Sequence, residues 1–290
     1  MNVVFLQQYK IVYIVTITFA KPPLIELMAE VRWGMPTIPL APTGAIGAVP
    51  IPILPGQPIQ FTASGSYDPF FLEFAKRVRE LGFTVQERTV PANVVVPPYK
   101  AVWRWRNPDS PGITLQLGSG VFTINGAPPD YVKWADFVGT VGDTLDALIA
   151  SLPTYPQPPQ RFTQLLMRYV DLFDEQLTGG RTHSEFLNDV LGINVVLPRV
   201  MTEQARPEAD IAASLQVAMP VDGGTANFVF AQGIVAGRSG FILDSTVTVD
   251  QEIALERPLV VENFTRAHDI LNSIFIGMTE PIHKKMEPTV

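Results

Sequence analysis

The chain has 290 residues, of which 47% are hydrophobic and 17% charged, with a net charge of −7 and no cysteine. That length and apolar content suffice for one large domain or two of ordinary size, and the missing cysteines exclude disulfides, thiolate metal sites and cysteine nucleophiles. The acidic excess lies in the second part: residues 1–155 carry 11 basic and 11 acidic side chains, whereas 156–290 carry 10 and 17. This distribution argues against broad attraction to nucleic acid or to an anionic membrane.

The apolar N-terminus is interrupted by Gln7, Gln8 and Lys10, leaving Ile11–Ala20 as its uninterrupted stretch. A bilayer span needs about 20 residues, and the basic start and small-residue cleavage site of a secretory leader are missing. The β-branched run therefore predicts a strand and a cytoplasmic chain. Next, Leu27, Ala29, Val31 and Trp33 alternate with Met28, Glu30 and Arg32, predicting a half-buried strand over 23–33. Met35–Gln60 holds seven prolines and three glycines among aliphatic residues. Proline removes ladder donors, yet the segment is too apolar for a flexible linker, so it reads as an ordered arm.

A helix is predicted over 68–81, with Asp68 as cap, Pro69 in the first turn and Gly82 as exit. Strands follow at 84–90, 101–106, 113–117 and 120–124, then a helix over 130–152 whose stripe includes Tyr131, Trp134, Phe137 and Leu145. Beyond the proline-rich hinge Pro153–Pro159, a strand is predicted over 161–173 and a helix over 182–191. Further strands are predicted at 194–197, 209–219, 227–236 and 240–250, and a closing helix over 262–280.

Strand, helix, strands and helix thus occur in the same order on both sides of the hinge. The expected fold is α+β: a first unit over 1–152 and a second over 161–290, each a β-α-β(3-4)-α unit with an antiparallel sheet backed by helices, related by a pseudo-twofold axis. Sparse charge leaves two readings open, a surface covered by a lasting protein interface or a proline-rich, weakly charged monomer surface. A homo-oligomer is expected, with Ile38, Leu40, Ile46, Val49, Ile51, Ile53 and Leu54 of the arm at its interface.

Lys21-Pro22-Pro23-Leu24-Ile25-Glu26, then Arg168-Tyr169, then Ala267-His268-Asp269 with Phe275 and Met278-Thr279-Glu280 stand in an order that resembles a sporadically distributed prokaryotic protein family of unassigned function. The resemblance spans most of residues 17–281. It departs at Val170-Asp171, where the family pattern has Ile-Asn, and at Asp269, where Glu follows the His. Patchy distribution implies an accessory bacterial role, such as a defence or mobile-island function.

Arg168 is the sharpest anomaly, because an Arg in an apolar strand must pair with a carboxylate or face a polar cavity. Two readings stay open: a buried salt bridge to Glu26, or an anion-binding group that acts with Glu26 or Asp171 in a cleft between the halves. His268 and Asp269 point about 100° apart on a helix and lack ligand spacing with His183 or His283, so His268 reads as structural and neither metal nor cofactor is expected. Trp103 and Trp105 fall on the face opposite Arg104 and Arg106, which predicts core tryptophans and solvated arginines rather than a nucleic-acid platform. Asp171 and Asp174 near the strand end could act as paired catalytic carboxylates, but strand-end acids of this kind are usually solvated caps. No phosphate loop, dinucleotide turn or hydrolase elbow occurs. The expected function is a non-enzymatic binding or assembly module, with a small-ligand receptor or enzyme as the alternative.

Overall fold

The computed structural model describes residues 17–34, 69–91, 94, 96–152, 158–206, 211–235 and 237–289. The arm, and with it Ile38, Leu40, Ile46, Val49, Ile51, Ile53 and Leu54, lies outside the described residues, as do Asp68 and most of the hinge.

In chain order the first half contributes β1 (Thr18–Phe19), β2 (Leu24–Arg32), α1 (Pro69–Glu80), β3 (Val85–Arg88), β4 (Ala101–Asn107), β5 (Ser110–Gly118), β6 (Val121–Gly126) and α2 (Trp134–Ser151). The second half contributes β7 (Arg161–Phe162), β8 (Gln164–Phe173), α3 (Glu175–Thr178), α4 (His183–Asp189), α5 (Arg199–Thr202), β9 (Leu215–Val221), β10 (Gly224–Val235), β11 (Arg238–Val249), β12 (Ile253–Ala254), α6 (Arg257–Thr279), α7 (His283–Met286) and β13 (Pro288–Thr289). Nine strands from both halves share one antiparallel sheet in the order β3-β4-β5-β6-β2-β8-β11-β10-β9. The mixed α and β content and the large antiparallel sheet with its helices are as expected. The strands of the two halves join in a single sheet, however, because β2 pairs along β8 from Leu24↔Asp171 to Arg32↔Gln164.

Alternation decides which face each side chain takes. Leu27, Ala29 and Val31 of β2, Leu165 and Met167 of β8, Leu243 and Val247 of β11, and Phe122 and Ile124 of β6 are buried on one face. Against that face lie α1, α2 and α6. Phe74 of α1 meets Trp105 and Phe122 edge-on at 5.1 and 5.3 Å between ring centres. α2 and α6 run antiparallel: Arg257 at the start of α6 pairs with Asp143 and Asp146 late in α2, while Trp134 at the start of α2 donates to Thr265 Oγ1 at 3.1 Å. Phe186 of α4 packs on Phe173 and Phe241 at the far end of the same layer.

Several boundaries differ from expectation for identifiable reasons. α2 starts at Trp134 rather than Asp130, because Lys133 is still extended (φ −150°, ψ 155°) and Tyr131 is anchored by its amide to Ala127 O. α6 starts at Arg257, since Pro258 suits a first helical turn. Residues 194–197 form no strand: Ile193 and Val195 tuck against the core and Val196 is exposed, so a β-branched run without a ladder partner stays irregular. β9 starts at Leu215, after irregular residues 211–214, and Ala209 lies outside the described residues. Thr182 and Glu185 form a reciprocal capping box at α4, and Asp174 caps α3 through Gln176 N and Leu177 N. α3 had no sequence signal beyond that acid. No helix among the described residues is long and apolar enough to cross a membrane.

Met167 sits fully buried on β8 between β2 and β11. Truncating such a side chain removes transfer energy and leaves a void, so Met167→Ala is expected to cost about 2–5 kcal/mol, measured by chemical denaturation.

Candidate functional site

On the helix side of the sheet, a cavity of about 230 Å³ opens just beyond the N-terminus of α2. Its floor is Tyr169 and Asp171 of β8 with Ser245 of β11. These three share a face, since Ser245 stands opposite Tyr169 and Leu243 opposite Asp171. One wall is α6, through His268, Asp269, Asn272 and Phe275; the opposite wall is the extended segment 131–133 and the first residues of α2. β1 and the Pro22–Leu24 turn close the remaining side. A register shift between Leu24 and Glu26 sets Ile25 out of step, so that Leu24 keeps its place opposite Asp171. Such bulges re-aim side chains at the ends of a ladder.

The cavity contains a hydrogen-bonded chain. Tyr131 and Tyr169 hydroxyls lie 3.4 Å apart, and the Tyr169 hydroxyl lies 2.6 Å from His268 Nδ1. Trp134 stacks on the His268 ring at 5.4 Å and 19°. Burial pushes His268 down to about 4, so the imidazole is neutral at pH 7. Burial likewise raises Tyr131 to about 12, against the lowering effect of its bond to Tyr169, and raises Tyr169 well above a free phenol.

Asp171 is the focal group. It is 4% exposed and makes no hydrogen bond or ion pair among the described residues. Loss of hydration, with repulsion from Asp244 as the smaller cause, pushes its carboxyl up to about 8, so it is largely protonated at neutral pH. Ser245, 5% exposed, also makes no hydrogen bond among the described residues. Asp269, exposed at the rim, is raised by partial burial. Two nearly buried polar groups thus face the cavity without protein partners, an arrangement that costs stability unless water or a ligand supplies the missing bonds.

Of the three residues grouped as an anion site, Arg168 and Glu26 share one face, where the Glu26 charge acts on the guanidinium, and Asp171 lies on the other. Arg168 and Glu26 point to the face opposite the cavity, where Arg168 Nε and Nη2 donate to Asp244 at 2.8 and 2.5 Å and Glu26 accepts from Asn125 Nδ2. Arg168 therefore has a bidentate carboxylate partner, and it is Asp244 on β11 rather than Glu26 on β2. The two sites differ by strand parity: Arg168 and Asp171 are three residues apart on β8. Asp171 is also not a solvated cap; Asp174 is the one that caps. Trp105 is buried, and Arg104 and Arg106 both pair with Glu87 on the outer face. His268 does bond a neighbour on the helix side, and it borders the cavity as well. The role of Tyr131 is hidden in the sequence by its helical spacing with Trp134 and Phe137, and that of Ser245 by the lack of any local signal. Among the described residues no group of three or more His, Asp or Glu side chains is placed to hold a metal ion.

Comparison with protein-family models, curated proteins and solved structures gives no match for this chain.

Two consequences are measurable. The Arg168 and Asp244 side chains remain 39% and 25% exposed, so solvent screens the pair. Their coupling in a double-mutant cycle with Arg168→Met and Asp244→Leu is expected to be about 1 kcal/mol, not the roughly 3–5 kcal/mol lost when a fully buried pair is broken. For Asp171, the folded acid holds its proton from the unfolded value near 3.8 up to about 8. The native state therefore binds more protons than the unfolded state in that window, and this group's contribution to stability falls as pH rises, by up to about 1.4 kcal/mol per pH unit. His268 acts in the opposite sense between about 4 and 6.5, where only the unfolded imidazole is charged. Above pH 6.5 Asp171 dominates the two. Asp171→Asn should flatten the pH dependence between 6.5 and 8 and melt above wild type at pH 8, as read by thermal melts across that range.

Proposed function

We propose that this protein is a small-ligand binding module whose site is the cavity between α6, the 131–134 segment and the β8–β11 floor. The observation that carries this reading is the pairing of Asp171 and Ser245, both nearly buried, both lining the cavity and neither with a side-chain hydrogen bond among the described residues. Binding sites combine an apolar, aromatic lining with a few fixed polar groups, and here Phe19, Tyr131, Trp134, Tyr169 and Phe275 supply the first while Asp171, Ser245, His268 and Asn272 supply the second. The bonded phenol and imidazole chain holds its members in fixed orientations, which lowers the ordering cost of binding. An anion at this site is disfavoured, because Arg168 is committed to Asp244 on the far face.

The same reading includes the tandem organisation. Residues 1–152 and 161–290 act as two related units that meet at β2 and β8, and the cavity takes walls from both: Leu24 and Tyr131 from the first, Asp171 and His268 from the second. That each half contributes a central strand and a long helix to the same layer supports it. Self-association through the Met35–Gln60 arm belongs to the proposal as well.

A ligand-observed NMR screen of cationic, neutral and anionic small molecules against the intact chain tests the binding reading. Compounds that bind are expected to lose their signal changes with Asn272→Trp, which fills the cavity from the half-buried face of α6 and leaves the melting temperature within a few degrees of wild type. Binding that Asn272→Trp does not diminish would place the ligand elsewhere and overturn the assignment.

A further inference from the structure

We propose that the ligand is a cation, a small amine or quaternary ammonium group seated among the aromatic rings with Asp171 as its counter-ion. The proposal rests on the binding reading above and names its chemical class.

The cavity presents two carboxyl groups, Asp171 on the floor and Asp269 at the rim, and five aromatic side chains: Phe19, Tyr131, Trp134, Tyr169 and Phe275. Aromatic faces carry negative charge density and attract cations, most strongly where water is excluded, and quaternary ammonium groups are recognised in this way. Positive charge is scarce around Asp171. The groups that influence it from the surrounding elements are Tyr131 on the 131–133 segment, Tyr169 on its own strand, and Asp244 on β11; His268 on α6, its nearest basic neighbour in the wall, is neutral at pH 7. Lys133 is the single Lys or Arg among the described lining residues, and its ammonium lies 3.7 Å from the Asp136 carboxylate. A bound cation would supply the missing charge, and Asp171 would ionise in response: its O–H bond breaks, the carboxylate stays opposite the ligand, and the proton passes to solvent. A neutral ligand would find the same rings and hydrogen-bonding groups but would leave the proton in place.

Choline and its uncharged carbon isostere 3,3-dimethylbutan-1-ol separate the two cases, because they share shape and differ in charge. Isothermal titration calorimetry of the intact chain with each compound, between pH 6 and 8.5 and in two buffers of different ionisation heat, gives affinity and proton release together. The expected result is binding of choline about tenfold or more tighter than the isostere. About one proton should be released per choline near pH 6.5, falling towards pH 8.5 as the free acid ionises at about 8. Asp171→Asn copies the shape of the protonated acid, so it should fold normally and lose at least about tenfold in choline affinity while leaving the isostere unaffected.

Equal affinity for the two compounds, or undiminished choline binding by Asp171→Asn, overturns the cation assignment. So does binding of neither compound at millimolar concentration. In each of these cases the binding reading itself stands if the screen's neutral compounds remain sensitive to Asn272→Trp, and falls if they do not.

Discussion

Antiparallel pairing of β2 with β8 joins strands some 130 residues apart in the chain and turns two runs of hairpins into one sheet. Closing a loop of that length is entropically costly, although the cost grows only with the logarithm of length. The repayment comes from the centre of the pair. Leu27, Ala29, Val31, Leu165 and Met167 are all essentially inaccessible to water, and burying a side chain of this kind contributes about 1.5–3 kcal/mol. Ladder bonds alone would not suffice, since each adds only about 1 kcal/mol net. The pairing also fixes the helices. With β6 on one flank and β11 on the other, α2 from the first half and α6 from the second must lie side by side over the same strands.

Unequal lengths of those two helices create the cavity. α6 runs for 23 residues and α2 for 18, and they are antiparallel, with the α6 start beside the later turns of α2. The second half of α6 therefore extends past Trp134 with no helix beside it. Tyr131–Lys133 fills part of that space in extended form, and β1 together with the Pro22–Leu24 turn closes the side. What remains uncovered on the sheet is the end of β8 and the middle of β11, where alternation presents Tyr169, Asp171 and Ser245. A site placed where two elements from different parts of the chain run out is a common location for ligands.

Legibility in the sequence followed the physics of each signal. Alternation and caps are local, and they located β2, α1, β4, β8, β10, β11 and the α4 helix that starts after Thr182. Where the outcome depended on a partner strand, as at residues 194–197, β-propensity misled. Helix starts differ in both directions: α2 begins at 134 rather than 130, because anchoring of Tyr131 is a tertiary effect, and α6 begins at 257 rather than 262, with Pro258 in its first turn. The site was only half visible. Arg168 drew attention as a charged residue in an apolar strand, but its partner lies 76 positions away on β11 and no local pattern identifies it. Asp171 looked like an ordinary strand-end acid. Its parity with Tyr169 already placed it on the helix face, and that was the available clue. Nothing in the local sequence indicates that Ser245 would join it.

The sheet also explains why two acids so close in the chain fold behave differently. Asp244 and Asp171 sit on neighbouring strands but on opposite faces, and only Asp244 has a cation within reach. Arg168 satisfies Asp244 with two hydrogen bonds on the face opposite the cavity. The backbone layer keeps the guanidinium from Asp171, while the Asp244 charge still adds to the cost of ionising it. Moving the arginine by one position would reverse its face and neutralise the cavity floor, at the cost of placing a charged side chain among Tyr169, Ser245 and His268. As the chain stands, one face holds a screened, satisfied ion pair and the helix face holds an acid with no side-chain partner among the described residues. The strand therefore separates an interaction that stabilises the fold from one that the fold leaves open.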